Sequence, residues 1–290
     1  QSREQQRQLV SELNTLLSDD RNEDLRPYLL ASLASNKGWD QMFREMISGD
    51  TRQPSSQGPT SFVLKRVNDL DKLTNVTSAI FFGINISCAK CHDHPLVSEW
   101  TQSHFFGMKS FFSRSFGNGD FLGEREYGAV QFKTTSGETL DAKMMFLDGA
   151  TVGEPEWKAP DSTQQAARKK ELEQLKKDKK PVPVPGFSRR EQLVRVVLES
   201  DQHSYLARSI VNRTWYRLLG IGLVMPLDQM HPENPSSHPE LLGWLARDFV
   251  SHGYDLKRLV RGIVLSRTYG RTSRWERDGG STRPPELQGK

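Results

Sequence analysis

The sequence predicts a mainly α protein: a helical domain with a small β insertion, joined by a charged and proline-rich linker to a second helical domain. Three observations predict it. Apolar residues recur at helical spacing before residue 113 and again after residue 187. Between these stretches, glycines cluster at 117, 119, 123 and 128, ahead of short alternating segments. A highly charged run then ends in Pro181-Val182-Pro183-Val184-Pro185-Gly186, which reads as a stiff extended connector. The expected boundaries are residues 1–150 for the first domain, 151–187 for the linker and 188–290 for the second domain.

In chain order, Gln5 to Leu17 puts Leu9, Val10, Leu13, Leu16 and Leu17 on one stripe, and further helical patterns cover Leu25 to Leu33 and Trp39 to Ile47. Arg52 to Thr60 carries two prolines among Ser, Gln and Gly and reads as a loop. Leu73, Val76, Ile80 and Phe81 repeat at helical spacing from Leu70 to Gly83, so a helix is expected to deliver the residues that follow. Asp93-His94-Pro95 turns the chain, because proline disfavours helix at the preceding residue. Ser98 is expected to cap the next helix, with Glu99 in its first turn. Trp100, Phe105, Met108, Phe111 and Phe112 make that helix's aromatic face, suited either to protein core or to the wall of a flat ring.

Ala129 to Thr134 and Thr139 to Phe146 alternate as a hairpin would. Arg189 to Leu198 and Ser204 to Leu219 are amphipathic, and Gly220 to Leu223 is a turn. Ser237-His238-Pro239-Glu240 has the form of a capping box with proline in the first turn, opening a helix through Leu241, Leu245 and Val250 that Gly253 stops. Asp255 caps a last helix carrying Leu256, Leu259, Val260, Ile263 and Val264, and the polar tail after Arg271 is expected to fray.

The 290 residues are 35% hydrophobic and 9% aromatic, enough for a substantial core. The apolar run from Ala79 to Ile86 falls far short of the roughly 20 residues of a membrane span, so no transmembrane segment is expected. The net charge is +4, of which residues 161–180 supply +3 from seven basic and four acidic side chains. That is a charged helix or linker without interleaved aromatics, which argues against nucleic-acid binding.

The chemistry is concentrated in Cys88-Ala89-Lys90-Cys91-His92, which uses both cysteines of the chain. Two thiols three residues apart can form thioethers with porphyrin vinyl groups, and a histidine directly after them can ligate the iron. The motif therefore reads as a single covalent haem c site with Cys88 and Cys91 as attachment points and His92 as proximal ligand. Zinc is the alternative cofactor and needs further ligands from His92, His94, His104 or distant histidines. A disulfide or redox dithiol is a further alternative. His94 lies too close to His92 to reach the opposite haem face and suits a turn or a propionate hydrogen bond. His104 and Met108 lie four apart on one helical face, so either is a candidate sixth ligand; Met144, Met145, Met225, Met230 and His231 are others. Asn212, Arg213 and Trp215 read as structural, with Arg213 a partner for Asp228 or Glu240.

Two stretches resemble the planctomycete-type cytochrome-associated proteins, which pair a C-x-x-C-H domain with a domain of unknown function. The first runs from Thr77 to Phe112 and includes CAKCHDHP, Trp100, Gln102, Phe105, Phe106 and Phe111-Phe112. The second runs from Asn212-Arg213-Thr214-Trp215 to Tyr269 and includes GLVMPLD, NPSSHPELL and GYDLKRLV. Trp39 to Phe43 and Gly49-Asp50 also fit the first domain. The resemblance implies an exported protein associated with c-type haem and leaves its activity open. Its members commonly continue upstream of the position of Gln1, and more often carry an acidic residue where His104 stands.

Haem is attached to such motifs outside the cytoplasm, so the reading requires export, to the periplasm or an equivalent compartment, and a mature chain that starts after its signal. The expected function is single-electron transfer with a redox partner or other exported protein. One alternative is an exported scaffold in which the cysteines form a disulfide or hold a structural metal. A second is a monohaem enzyme with an open iron position and His104 as acid or base.

Overall fold

The structure, a computed structural model, describes residues 3–18, 25–49, 57–199 and 205–271. Eleven α-helices and three two-stranded antiparallel sheets stand among these residues, so the fold is mainly α. The first helices are α1 (Arg3–Leu17), α2 (Leu25–Ala34), α3 (Trp39–Ile47), α4 (Gln57–Leu64) and α5 (Leu70–Thr77). Residues 57–60, expected in a loop, are the first turn of α4, and they bury Pro59 and Thr60. Residues 52–56 of that loop lie outside the described residues, as do Ser204 and the tail beyond Arg271.

These helices meet through rings. Phe81 lies 5.7 Å from Trp39, 5.0 Å from Phe43 and 5.2 Å from Phe62, centroid to centroid. All four side chains are sealed from solvent, and edge-on aromatic packing adds to the area each buries. The apolar core runs without interruption from α1 past residue 188, where Leu193, Ile210 and Leu242 continue it.

The helix expected from Leu70 to Gly83 is α5 followed by a single π turn, Ser78–Phe82. Gly83 ends it in the left-handed region at φ 70°. The cysteine motif is therefore not carried by that helix. Ile84 forms a bridge with Gln229, and a separate 3₁₀ turn, Ser87–Lys90, holds Cys88. The next helix, α6 (Gln102–Ser110), starts later than expected, with Thr101 rather than Ser98 at its N-cap.

The β insertion comprises β1 (Ser115–Asn118) with β2 (Phe121–Glu124), β3 (Val130–Lys133) with β4 (Thr139–Ala142), and β5 (Met144–Met145) with β6 (Thr151–Val152). Residues 151–187 are thus more than a connector. They contribute β6 and then α7 (Ser162–Lys177), a helix with no buried side chain. Asn118 Nδ2 donates to the Leu172 carbonyl at 3.0 Å and ties α7 to the β1–β2 turn.

The chain closes with α8 (Arg189–Glu199), α9 (Tyr205–Leu219), α10 (Pro239–Ser251) and α11 (Leu256–Val264). His238 is the N-cap of α10 and Pro239 follows it, but no side chain caps this end. Ser237 Oγ donates instead to the Leu223 carbonyl at 3.2 Å, so the Ser237–Glu240 box does not form. Asp255 caps α11 by accepting from the Arg258 amide at 2.9 Å.

Candidate functional site at the cysteine turn

The 3₁₀ turn places the backbone of Cys91 on that of Cys88, with Cys91 N–H donating to the Cys88 carbonyl at 3.3 Å. Ala89 points into the core, while Cys88, Cys91 and His92 face solvent and both thiols are free. The turn is pinned from two sides. Gln102 of α6 donates through Nε2 to the Lys90 carbonyl at 3.2 Å. Lys90 Nζ and Lys109 Nζ reach the two oxygens of Asp71 at 2.8 and 2.6 Å. Partial burial opposes ionisation of that carboxyl, but hydrogen bonds from both lysines outweigh it and hold Asp71 below its ordinary pKa.

The hydrogen bonds of the histidines here set their tautomers. His92 Nδ1 stands 2.7 Å from the Asp93 carbonyl, an acceptor, so this nitrogen carries the proton and Nε2 keeps its lone pair. His94 is buried, and its Nδ1 accepts from the amides of Leu96 and Val97 at 3.3 and 3.2 Å. The lone pair of Nδ1 is thus committed to shaping the turn. Burial first, then the neighbouring His231 and His92, lower its pKa and keep it neutral.

The two candidates on α6 are placed differently from each other. Met108 is wholly buried in the core beside Phe105, Phe111 and Phe112. The aromatic face of this helix is thus protein interior. His104 forms a capping box, with Nδ1 accepting from the Thr101 amide at 3.3 Å, which leaves the proton on Nε2 facing Gly149. Burial lowers its pKa, against the opposing charges of Asp148 and Glu99.

The loop at Asp228 and Met230 is bonded to the segment that leads into the turn. Asn85 N–H donates to the Asp228 carbonyl at 2.7 Å and Met230 N–H to the Gly83 carbonyl at 2.9 Å. This loop brings the ring of His231 to 6.0 Å from that of His94 and 6.0 Å from that of Trp100. Trp100 is fixed by its indole N–H, which donates to the Leu147 carbonyl at 3.0 Å. The other sulfur and imidazole candidates lie apart from this cluster or are enclosed: Met144 and Met230 are buried, and Met225 is exposed. Arg213 donates through Nη2 to the Ala79 carbonyl at 2.6 Å instead of pairing with Glu240, with Asp228 only a nearby charge.

Among the described residues, no group of three or more His, Cys, Asp or Glu side chains is placed to hold a metal ion, and no helix is long and apolar enough to cross a membrane. A cleft of about 1810 Å³ lies elsewhere, between α1, α9, α10 and α11.

Residues 10–116 match the family described as PSCyt2, protein of unknown function (DUF1549). Residues 189–286 match the family described as PSD1, protein of unknown function (DUF1553). The chain fits a two-domain family. The first match encloses Cys88 to His92 and the second encloses His231, so the contact at the turn joins the two matched regions. No curated protein and no solved structure matches the chain.

Glu124 and Arg190 form a buried pair that no local pattern in the sequence points to, because the partners are distant in the chain.

Proposed function

We propose that the chain is an exported c-type haem protein that passes single electrons, with haem bound covalently through Cys88 and Cys91 and ligated by His92. The observation that carries this reading is the state of the three side chains. Both thiols are free and offered to solvent on one turn, and the following imidazole is held by a carbonyl in the tautomer that bares Nε2. A haem bound there supplies one-electron redox chemistry. The chain's own part is to fix the turn through Gln102, Lys90 and Asp71, to orient His92 through Asp93, and to bond the segment leading into the turn through the loop at Asp228 and Met230.

The scaffold reading has one observation in its favour: the α1–α9–α10–α11 cleft exposes Trp244, Tyr269 and Leu265. A denaturing gel stained for haem, run on the full chain exported from a host with haem-attachment machinery, decides between the two. Haem signal that stays with the polypeptide is expected and is lost in Cys88→Ser with Cys91→Ser. A protein band without signal contradicts the haem reading and leaves the scaffold.

A further inference from the structure

We propose that α7 (Ser162–Lys177) holds a flexible polyanion, a polysaccharide bearing carboxylate or sulfate groups, on a face of lysines. The proposal does not depend on haem.

α7 buries no side chain, so packing in the core does not explain why its 16 residues are helical. Its first turn is closed by Asp161, which accepts from the Gln164 amide at 2.8 Å, while Gln164 Oε1 accepts from the Asp161 amide at 3.0 Å. Its orientation is fixed by the Asn118 bond to the Leu172 carbonyl, with Leu172 and Leu175 half-buried. Five basic and two acidic side chains stand on it. Lys169 and Lys176 lie seven positions apart, as do Lys170 and Lys177, so they form two short rows two turns long, and all four are exposed.

These lysines are not used inside the molecule. Among the described residues none of the four forms an ion pair, whereas Arg168 pairs with Glu171 at 2.8 Å. Glu173 stands three or four positions from each of them and pairs with none. The helix dipole favours cations at Lys176 and Lys177 in the last turn, but gives nothing to Lys169 and Lys170.

The kind of partner follows from what α7 lacks. Interfaces between folded proteins are built around aromatic, methionine and arginine anchors and are poor in lysine. α7 has no aromatic side chain and no methionine, so charge is what it offers. Without rings for bases to stack on, single-stranded nucleic acid is a poor fit as well. Ammonium groups on flexible stems suit anions repeated along a pliable chain rather than one fixed carboxylate.

The test is calorimetric titration of the full chain with heparin and with polygalacturonate at about 50 mM salt, and with duplex DNA as a third titrant. Binding of a polysaccharide is expected, and which of the two saturates identifies sulfate or carboxylate as the recognised group. Lys169→Gln, Lys170→Gln, Lys176→Gln and Lys177→Gln together, which keep good helix formers in place, should weaken that binding roughly tenfold or more, as should about 200 mM salt. The same charge change at Arg247, Arg261, Arg267 and Arg271, all exposed and outside α7, should alter it by less than about twofold. Circular dichroism on both variants checks that the helices persist. No saturation by either polysaccharide, full affinity in the lysine variant, an equal loss in the arginine variant, or duplex DNA bound as tightly as the polysaccharides overturns the proposal.

Discussion

Two of the contacts between the residues before 188 and those after it are built to opposite rules. At one, charges are buried and saturated. Glu124 on β2 is sealed at the start of α8, where it accepts from Ser188 Oγ and the Arg189 amide, both at 2.7 Å, and from Arg190 Nε at 3.3 Å. A carboxylate at a helix N-terminus is also favoured by the helix dipole. Arg190 Nη1 continues to the Ile47 carbonyl at 3.1 Å, and Arg189 places three nitrogens on Glu154, Ser110 and Ser113. At the other contact, the Asp228–His231 loop meets the cysteine turn largely through backbone bonds, and leaves an imidazole nitrogen buried without a partner. The saturated seam holds α8 in register with the elements before it.

The strongest way to break this contrast is to cut the seam. Arg190→Ala strands Glu124 as a buried carboxylate, and loss of one partner of a buried pair costs about 3–5 kcal/mol. Denaturant unfolding should show that loss, and a shift below about 1 kcal/mol would contradict a structural role for the pair. Next comes Asn212→Ala. Asn212 is fully buried and holds both the amide and the carbonyl of Val224, at 3.0 and 2.9 Å, so its removal should cost roughly 1–3 kcal/mol in the same assay.

Changes on the loop side should behave differently. In the haem-free chain, His231→Leu removes a buried ring with one unpaired nitrogen and one hydrogen bond, to Gln229, and should change stability by less than about 1 kcal/mol. A large destabilisation would mean the ring already has an essential protein partner.

Acid gives a further comparison. His94, His104 and His231 all titrate below the ordinary histidine value of 6.5, each chiefly because burial disfavours the charged ring. The unfolded chain thus binds more protons than the folded one as pH drops below that value. The thermal midpoint of the haem-free protein should be flat above about pH 6.5 and fall below it, and a midpoint that rises on acidification would contradict their burial. The smallest effect belongs to Asp71→Asn, which breaks only partly exposed pairs with Lys90 and Lys109. Its melting temperature should move less than that of any other destabilising variant here.

Local patterns carried much of this fold. Trp39 to Ile47 is α3 to the residue, because its apolar spacing and its packing agree, and Asp255 caps α11 as its position suggested. What was not legible came from across the chain. The helix approaching the motif ends at Gly83 because Ile84 must bridge to Gln229. Thr101 displaces Ser98 as a cap because His104 completes a box with it. Glu124 and Arg190 are ordinary charged residues in sequence and become a buried pair only through the fold. The cysteine turn was legible as chemistry and His231 as one candidate among several, whereas its hydrogen bond to Gln229 and its place beside His94 come only from the fold.

The central claim is that this turn carries one covalent haem. Intact-mass measurement of the exported chain tests it most directly. The account predicts a mass raised by one haem per chain, with the added mass mapping to the peptide containing Cys88 and Cys91 and absent when both are serine. An unmodified mass from a host that loads haem onto a control c-type cytochrome would contradict it.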